Sequence, residues 1–286
     1  MSRIAYVNGQ YVPHSNAAVH IEDRGYQFSD GVYEVCEILD GRLIDETRHM
    51  ERLERSLTEL KIAIPMDRKP MGVILREVVS RNRVKNGLVY IQVTRGVAPR
   101  NHYFPTDDTP PAVVVTARNS STAKSDALAE TGVSVISVPD NRWERVDIKS
   151  VSLLPNVMAK QAAKEQGSFE AWFVDEKGFV TEGSSTNAWI VTKEGVIVTR
   201  SADSGILRGI TRTAVLELVE RQNLQFEERA FTIEEAQQAK EAFITAATTL
   251  VMPVVHIDGA AVGNAAPGSV ATNLRKLFHT QVEIAK

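Results

Sequence analysis

Apolar positions along the chain switch repeatedly between a period of two and a period near 3.6. Val32-Tyr33-Glu34-Val35-Cys36-Glu37-Ile38-Leu39 alternates apolar and polar residues and stops at Asp40-Gly41, the pattern of a half-buried strand entering a tight turn. Ile4-Ala5-Tyr6-Val7 and Gln10-Tyr11-Val12 flank Asn8-Gly9, which predicts a hairpin. From Thr47 to Ile62 the apolar residues Met50, Leu53, Leu57 and Leu60 define one helix face, with Pro65 as the stop. Ile74, Leu75, Val78 and Val79 mark a second helix, and residues 88–94 and 112–116 are apolar strand runs. Residues 118–128 are polar, small and aperiodic, which predicts a linker. Beyond them come strands at 133–138 and 170–174, a helix at 158–166 closed by Gly167, and a hairpin of 187–192 with 196–199. A helix follows at 210–221, then a capping box at Thr232-Ile233-Glu234-Glu235, a strand at 251–257 ending in Asp258-Gly259, and a last helix at 269–284. The expected class is α+β or α/β, with domains at 1–117 and 129–286 joined by 118–128.

Composition narrows the function. The 286 residues are 43% hydrophobic, enough for a packed core and too apolar for a disordered chain. Cys36 is alone, so no internal disulfide or multi-cysteine metal site is expected. The formal charge of −3 argues against a non-specific nucleic-acid binder. No run approaches the ~20 apolar residues of a membrane span, and the N-terminal residues lack the apolar stretch of a signal peptide. The expectation is a cytoplasmic protein that binds neither membrane nor nucleic acid. His14, His20, His49, His102, His256 and His279 have no metal-ligand spacing, so no metal is expected. Neither a G-x-S-x-G elbow nor a phosphate-binding glycine motif is present, which leaves a hydrolase or a nucleotide enzyme without a motif. The 33 basic residues divide into 21 Arg and 12 Lys, so an essential lysine has few candidates.

Three segments could carry chemistry. Lys149 runs straight into Val151, Leu153 and Leu154, whereas most of the lysines lie in charged, helix-like or turn contexts. An unperturbed lysine is neutral in only about one molecule in a thousand at pH 7, so a nucleophilic lysine needs burial or a neighbouring cation. A strand-end lysine that snorkels to solvent has the same local sequence. Glu182-Gly183-Ser184-Ser185-Thr186-Asn187 sets a carboxylate beside three hydroxyls, either a polar pocket wall or an ordinary turn. Ser204-Gly205-Ile206-Leu207-Arg208-Gly209-Ile210-Thr211-Arg212 opens a helix, whose first N–H groups suit either a phosphate or a plain cap.

In this order the segments resemble the signature of the fold-type IV pyridoxal-phosphate enzymes, and within them the D-amino-acid transaminases. The likeness runs through Glu22-Asp23-Arg24-Gly25-Tyr26-Gln27-Phe28, Asp30-Gly31-Val32-Tyr33-Glu34, Gln92-Val93-Thr94-Arg95-Gly96, Pro99-Arg100-Asn101-His102 and Val251-Met252-Pro253-Val254. It implies a two-domain α+β (α/β) fold, with a smaller N-terminal α/β domain and a larger C-terminal domain built on a barrel-like sheet. It implies pyridoxal 5′-phosphate as cofactor. Lys149 matches the lysine that holds the cofactor as a Schiff base and carries a proton between Cα and C4′. Glu182 matches the carboxylate that pairs with the pyridine nitrogen, where a protonated ring is the better electron sink. Arg52 matches the arginine on the cofactor phosphate, and Ile210 and Thr211 match the phosphate cup. Tyr33, Arg100 and His102 match the clamp on the substrate carboxylate, with Arg100 and His102 reaching a partner subunit in a homodimer. An Arg fork with His and Tyr donors would fix which face of the substrate the lysine meets.

Thr245-Ala246-Ala247-Thr248-Thr249 departs from the family pattern, which has a hydroxyl near position 247. Thr248 is expected to take its place, and a lost hydroxyl contact of about 1 kcal/mol implies weaker cofactor retention. The implied reaction is ping-pong transamination of a D-amino acid such as D-alanine or D-glutamate with 2-oxoglutarate or pyruvate. Branched-chain L-amino-acid transaminase, R-selective amine transaminase and aminodeoxychorismate lyase are the alternatives within the fold. Arg100 with His102 argues against the branched-chain enzyme. A non-catalytic small-molecule binder would need no lysine and carboxylate kept together.

Overall fold

In the computed structural model Asn8 and Gly9 take φ values of 46° and 93°, and the strands on either side, β1 (Ile4–Val7) and β2 (Gln10–Pro13), pair antiparallel. Residues 3–203 and 205–284 are described; Ser204, which opens the third motif, and the chain ends lie outside them. Two compact units form. One runs to Thr122 and takes in Ile148–Ser152 and the chain from Glu283, while the other holds Ala123–Asp147 and Leu153–Val282. The unit boundary thus falls within 118–128, and Lys149 lies with the first unit in a five-residue segment, Ile148–Ser152, whose flanking chain on both sides lies with the second.

The first unit continues with α1 (Arg24–Phe28), β3 (Gly31–Leu39), β4 (Arg42–Leu43), α2 (Glu46–Glu59), α3 (Arg68–Arg81), β5 (Gly87–Thr94) and β6 (Ala112–Asn119). Its six strands form an antiparallel sheet in the order β2-β1-β6-β5-β3-β4. Alternation in β3 turns Val32, Glu34, Cys36 and Ile38 inward, while Tyr33, Val35 and Glu37 face the other way. Val32, Cys36 and Ile38 pack with Met50, Leu53 and Leu57 of α2 and Met71, Leu75 and Val78 of α3 in one core. Each such side chain contributes roughly 1.5–3 kcal/mol when fully buried. Helix α2 stops three residues short of the expected Ile62. Lys61 turns left-handed (φ 54°), its N–H donates to the Thr58 carbonyl, and the Ile62 N–H donates to the Leu57 carbonyl. That is a Schellman stop, and Arg95 donates to the carbonyls of Leu60 and Lys61 just beyond it.

The second unit is built on a mixed sheet that curls into a half-barrel. After α4 (Thr122–Thr131) come β7 (Val133–Pro139), α5 (Leu154–Glu165), β8 (Glu170–Val174), β9 (Val180–Gly183), β10 (Asn187–Val191) and β11 (Ile197–Thr199). Then follow α6 (Ile210–Arg221), β12 (Phe226–Glu228), α7 (Ile233–Gln238), β13 (Glu241–Ala246), β14 (Leu250–Ile257), β15 (Ala260–Ala261) and α8 (Ser269–Leu277). The strand order is β12-β11-β10-β13-β14-β7-β8-β9, with β15 on β14. Two expectations change. Most of residues 118–128, expected as a linker, is the end of β6 and the start of α4. The last helix ends at Leu277 rather than Ile284, passes into a short 3-10 turn, and the chain then sets Ile284 beside Ile44. Among the described residues no helix is long and apolar enough to cross a membrane, and no group of three His, Cys, Asp or Glu could hold a metal ion.

Candidate active site

Residues 149–151 lie as a short strand against the start of β3. Tyr33 N–H donates to the Lys149 carbonyl, Val151 N–H donates to the Gly31 carbonyl (each 3.0 Å), and Val32 faces Ser150 across the bridge. Ile148 is thereby buried in the core while Lys149 emerges on the face of Tyr33, its Nζ 4.2 Å from the Tyr33 ring centroid. Tyr33 stacks on Tyr90 at 5.7 Å, and burial, reinforced by Tyr33, pushes the Tyr90 phenol up to about 12. The Lys149 backbone N–H donates to Ser56 Oγ (3.4 Å) on α2. Arg52 is one helical turn before Ser56, so the lysine and the arginine are set along the same helix face.

Arg52 is itself fixed. Glu34, fully buried on the core face of β3, accepts from Arg52 Nε (2.7 Å) and Nη2 (2.9 Å) and from His49 Nδ1 (2.7 Å). Burial alone would raise the Glu34 pKa, but the charge and hydrogen bonds of Arg52, helped by His49, hold it well below the carboxylate range. Glu34 thus occupies the Nε–Nη2 edge of the guanidinium.

In the second unit three N–H donors converge on Glu182: Arg142 Nη1 (2.6 Å), Asn187 Nδ2 (3.1 Å) and the Leu207 N–H (3.2 Å to each oxygen). Arg142 is buried, lies over the Phe173 ring and also grips Asp140 through Nε and Nη2. Burial would raise Asp140, yet the Arg142 bonds and charge lower it. Nothing in the local sequence marks Arg142, because one of its two carboxylates, Glu182, comes from a strand distant in sequence. Asn187 joins two of the motifs: its Nδ2 also donates to the Leu207 carbonyl (2.9 Å). A Cβ on Gly209 would lie 2.2 Å from Asn187 Oδ1, so this close approach requires glycine.

The same end of the β10–β13 pair offers groups suited to an anion. Asn187 opens β10 opposite Thr245, β13 ends at Ala246, and a turn leads into β14 through Leu250 in the left-handed region. Helix α6 starts at Ile210 and Thr211 with no side-chain cap from Gly209, whereas Glu241 caps the first N–H groups of α8. Among the described residues the buried Oγ1 atoms of Thr186 and Thr249 have no hydrogen-bond partner, so each has a hydroxyl to offer an incoming group. Thr248, the expected phosphate ligand, is exposed, and Thr249 instead carries the buried hydroxyl. The donors at this end fit a phosphate group, and Glu182 is the carboxylate that a protonated ring nitrogen would need. The serines of the second motif are spent differently from a pocket wall: Ser184 and Ser185 both donate to the buried carboxylate of Glu170.

Arg100 and His102 lie on an exposed loop of the first unit, and no hydrogen bond or ring contact among the described residues ties them to Lys149 or Tyr33. That loop is stapled from beneath. Arg24 Nη1 donates to the Asn101 carbonyl (2.7 Å), Arg95 lies under Phe104 (3.7 Å), and Asp30 accepts from both arginines.

Residues 31–257 match the amino-transferase class IV family. The chain is 43% identical to a D-alanine aminotransferase of Bacillus licheniformis over 96% of its length and 95% of the relative's. It is 38% identical to a D-alanine aminotransferase of Staphylococcus haemolyticus, covering 97% of both chains. Among solved structures it superposes on the branched-chain amino acid aminotransferase of Escherichia coli with a TM-score of 0.90 at 21% identity, covering 98% of this chain and 94% of that one. A branched-chain aminotransferase of Thermoproteus uzoniensis, solved with norvaline, gives 0.87 at 23% identity, covering 99% of each chain. At these identities the structures share a fold and leave the substrate open.

Proposed function

The chain belongs to the class IV aminotransferases, and from that premise we propose that it moves the amino group of a D-amino acid, such as D-alanine or D-glutamate, to 2-oxoglutarate or pyruvate, using pyridoxal 5′-phosphate. The observation that carries the reading is the placement of Lys149. It is locked into register with β3 through its carbonyl and tied to α2 through its N–H, and it lies over Tyr33 in the unit that holds Arg52. When bound, the cofactor supplies a conjugated sink for the electron pair left at Cα. Lys149 Nζ would hold the cofactor and carry the proton between Cα and C4′. Arg52, the N–H groups of Ile210 and Thr211, and a hydroxyl of the 245–249 segment would hold the phosphate, and Glu182 would accept from the ring nitrogen.

Tyr33, Arg100 and His102 would receive the substrate carboxylate and so set handedness. We read Arg100 and His102 as serving a partner subunit in a homodimer. An exposed apolar surface around them supports this: Ile21, Tyr26 and Tyr103 are 76%, 75% and 81% exposed, on segments joined by the Asp23–Val97 bridge. A panel of D- and L-amino acids with both acceptors, scored for product and handedness, tests the activity. D-alanine or D-glutamate should be consumed, and Lys149→Ala should abolish turnover. Preference for L-amino acids, or wild-type turnover by Lys149→Ala, would overturn the reading.

A further inference from the structure

Phe28 closes α1, and its ring is the meeting point of the clamp region. The Arg100 guanidinium carbon lies 4.5 Å from the ring centroid, that of Arg24 lies 4.8 Å from it, and the His102 ring is 5.5 Å away and tilted by 55°. Arg24 is buried and immobilised by Asp30 and by the Asn101 carbonyl, the residue between Arg100 and His102. Among the described residues neither the Arg100 guanidinium nor the His102 imidazole takes part in a hydrogen bond or an ion pair, so the Phe28 ring is what both rest on.

We propose that Phe28 is a positioning residue, the shelf that holds Arg100 and His102 at one spacing so that both meet a single carboxylate. The inference rests on the reading that this pair receives the substrate carboxylate. An aromatic ring suits the task better than a carboxylate would. A guanidinium attracted through its face keeps its N–H donors at the edge and keeps its charge, whereas an acidic partner would consume donors and neutralise it. Arg24 on the same ring, held from below, fixes the shelf. Asn101, pinned through its carbonyl, fixes the loop that carries both clamp residues.

The test measures kcat and KM for D-alanine with 2-oxoglutarate on the holoenzyme, for Phe28→Leu, Phe28→Tyr, Arg100→Ala and the Phe28→Leu/Arg100→Ala double variant. Phe28→Leu should raise KM about threefold to thirtyfold, the range of a lost cation–π contact, while kcat falls less than about twofold. Phe28→Tyr, which keeps a ring, should restore the wild-type KM, and the losses in the double variant should be less than additive, the remainder over Arg100→Ala alone being the share carried through His102. Phe28→Met, which removes the ring at similar volume, repeats the test should the leucine variant not fold. A wild-type KM for Phe28→Leu beside a raised KM for Arg100→Ala overturns the shelf and leaves the clamp standing. So does a loss in kcat alone, or additive losses in the double variant. An unchanged KM for Arg100→Ala overturns the clamp and the shelf with it.

Discussion

Replacing Glu34 by Gln should unlock Arg52 and lower the stability of the first unit sharply. Glu34 is fully buried and takes three donors at 2.7–2.9 Å, two from Arg52 and one from His49. A glutamine keeps the volume but replaces one acceptor oxygen by a donor NH2 that must face either Arg52 or His49. The guanidinium, one tenth exposed, then loses the carboxylate that holds its Nε and Nη2. Removing one partner of a buried pair costs about 3–5 kcal/mol. At roughly 2–4 °C per kcal/mol for a chain of this size, Tm should fall by about 6–20 °C. The measurement is a thermal melt followed by circular dichroism, on cofactor-free protein so that ligand linkage does not mask the change. Glu34→Leu with Arg52→Met should recover much of the loss, because two apolar side chains replace a pair that is expensive to desolvate. That double variant should still retain cofactor poorly, since Arg52 is gone. Glu54→Gln at the exposed Arg68–Glu54 pair is the control and should move Tm little. A shift of Glu34→Gln as small as that of the control would refute the claim that burial makes this pair matter.

Acid should expose the same pair. The Glu34 and Asp140 pKa values are lowered in the fold, so their stabilisation is complete above the unfolded carboxylate range near about 4 and is lost as pH falls through the lower folded values. Tm should therefore hold from neutral pH to about 5 and drop below about 4, less steeply in Glu34→Gln; a Tm that rises on acidification would contradict this. Thr249→Val should weaken pyridoxal 5′-phosphate retention on dialysis by about 2- to 10-fold, the range for one hydrogen bond, and Thr248→Val should leave it unchanged. The cofactor-free Thr249→Val protein should be no less stable than wild type, because the buried hydroxyl it loses has no partner among the described residues; equal effects of the two variants would count against Thr249.

Turn chemistry and long amphipathic helices are legible in the sequence; elements whose buried side is small or polar are not. Asn8-Gly9, Asp40-Gly41 and Asp258-Gly259 all have positive φ at both residues, as their residue types require. Helix α6 begins and ends where its apolar spacing places it, at Ile210 and Arg221. The spacing starts helix α5 at Met158, yet it begins at Leu154, because its apolar residues Leu154, Val157 and Met158 face outward and its buried face is Ala159 and Ala163. Helix α4 buries little beyond Ala129 and so shows no stripe. Strand β9 is buried at all four positions yet carries Thr181 and Glu182, a polarity that makes sense only once Arg142 and Asp140 are in place. The site follows the same rule. Lys149 is visible from its apolar context and the family pattern, whereas its attachment to the first unit depends on a pairing with β3 more than a hundred residues away, which no local window contains.

The alternation of β3 is the step at which pattern becomes chemistry. One face of the strand sends Glu34 inward to fix Arg52; the other presents Tyr33 to Lys149. Ser56, a turn beyond Arg52, receives the Lys149 N–H, so helix and strand together hold the lysine. A slip of one residue in β3 would exchange the faces, exposing Glu34 to the lysine and burying Tyr33 against α2. Two features forbid it: the Asp40-Gly41 turn that closes β3 on β4, and the unbroken pairing of β3 with β5 from Gly31–Thr94 to Ile38–Gly87. The hairpin signal and the alternating run, the plainest features of the sequence, thus set the register on which the candidate lysine depends.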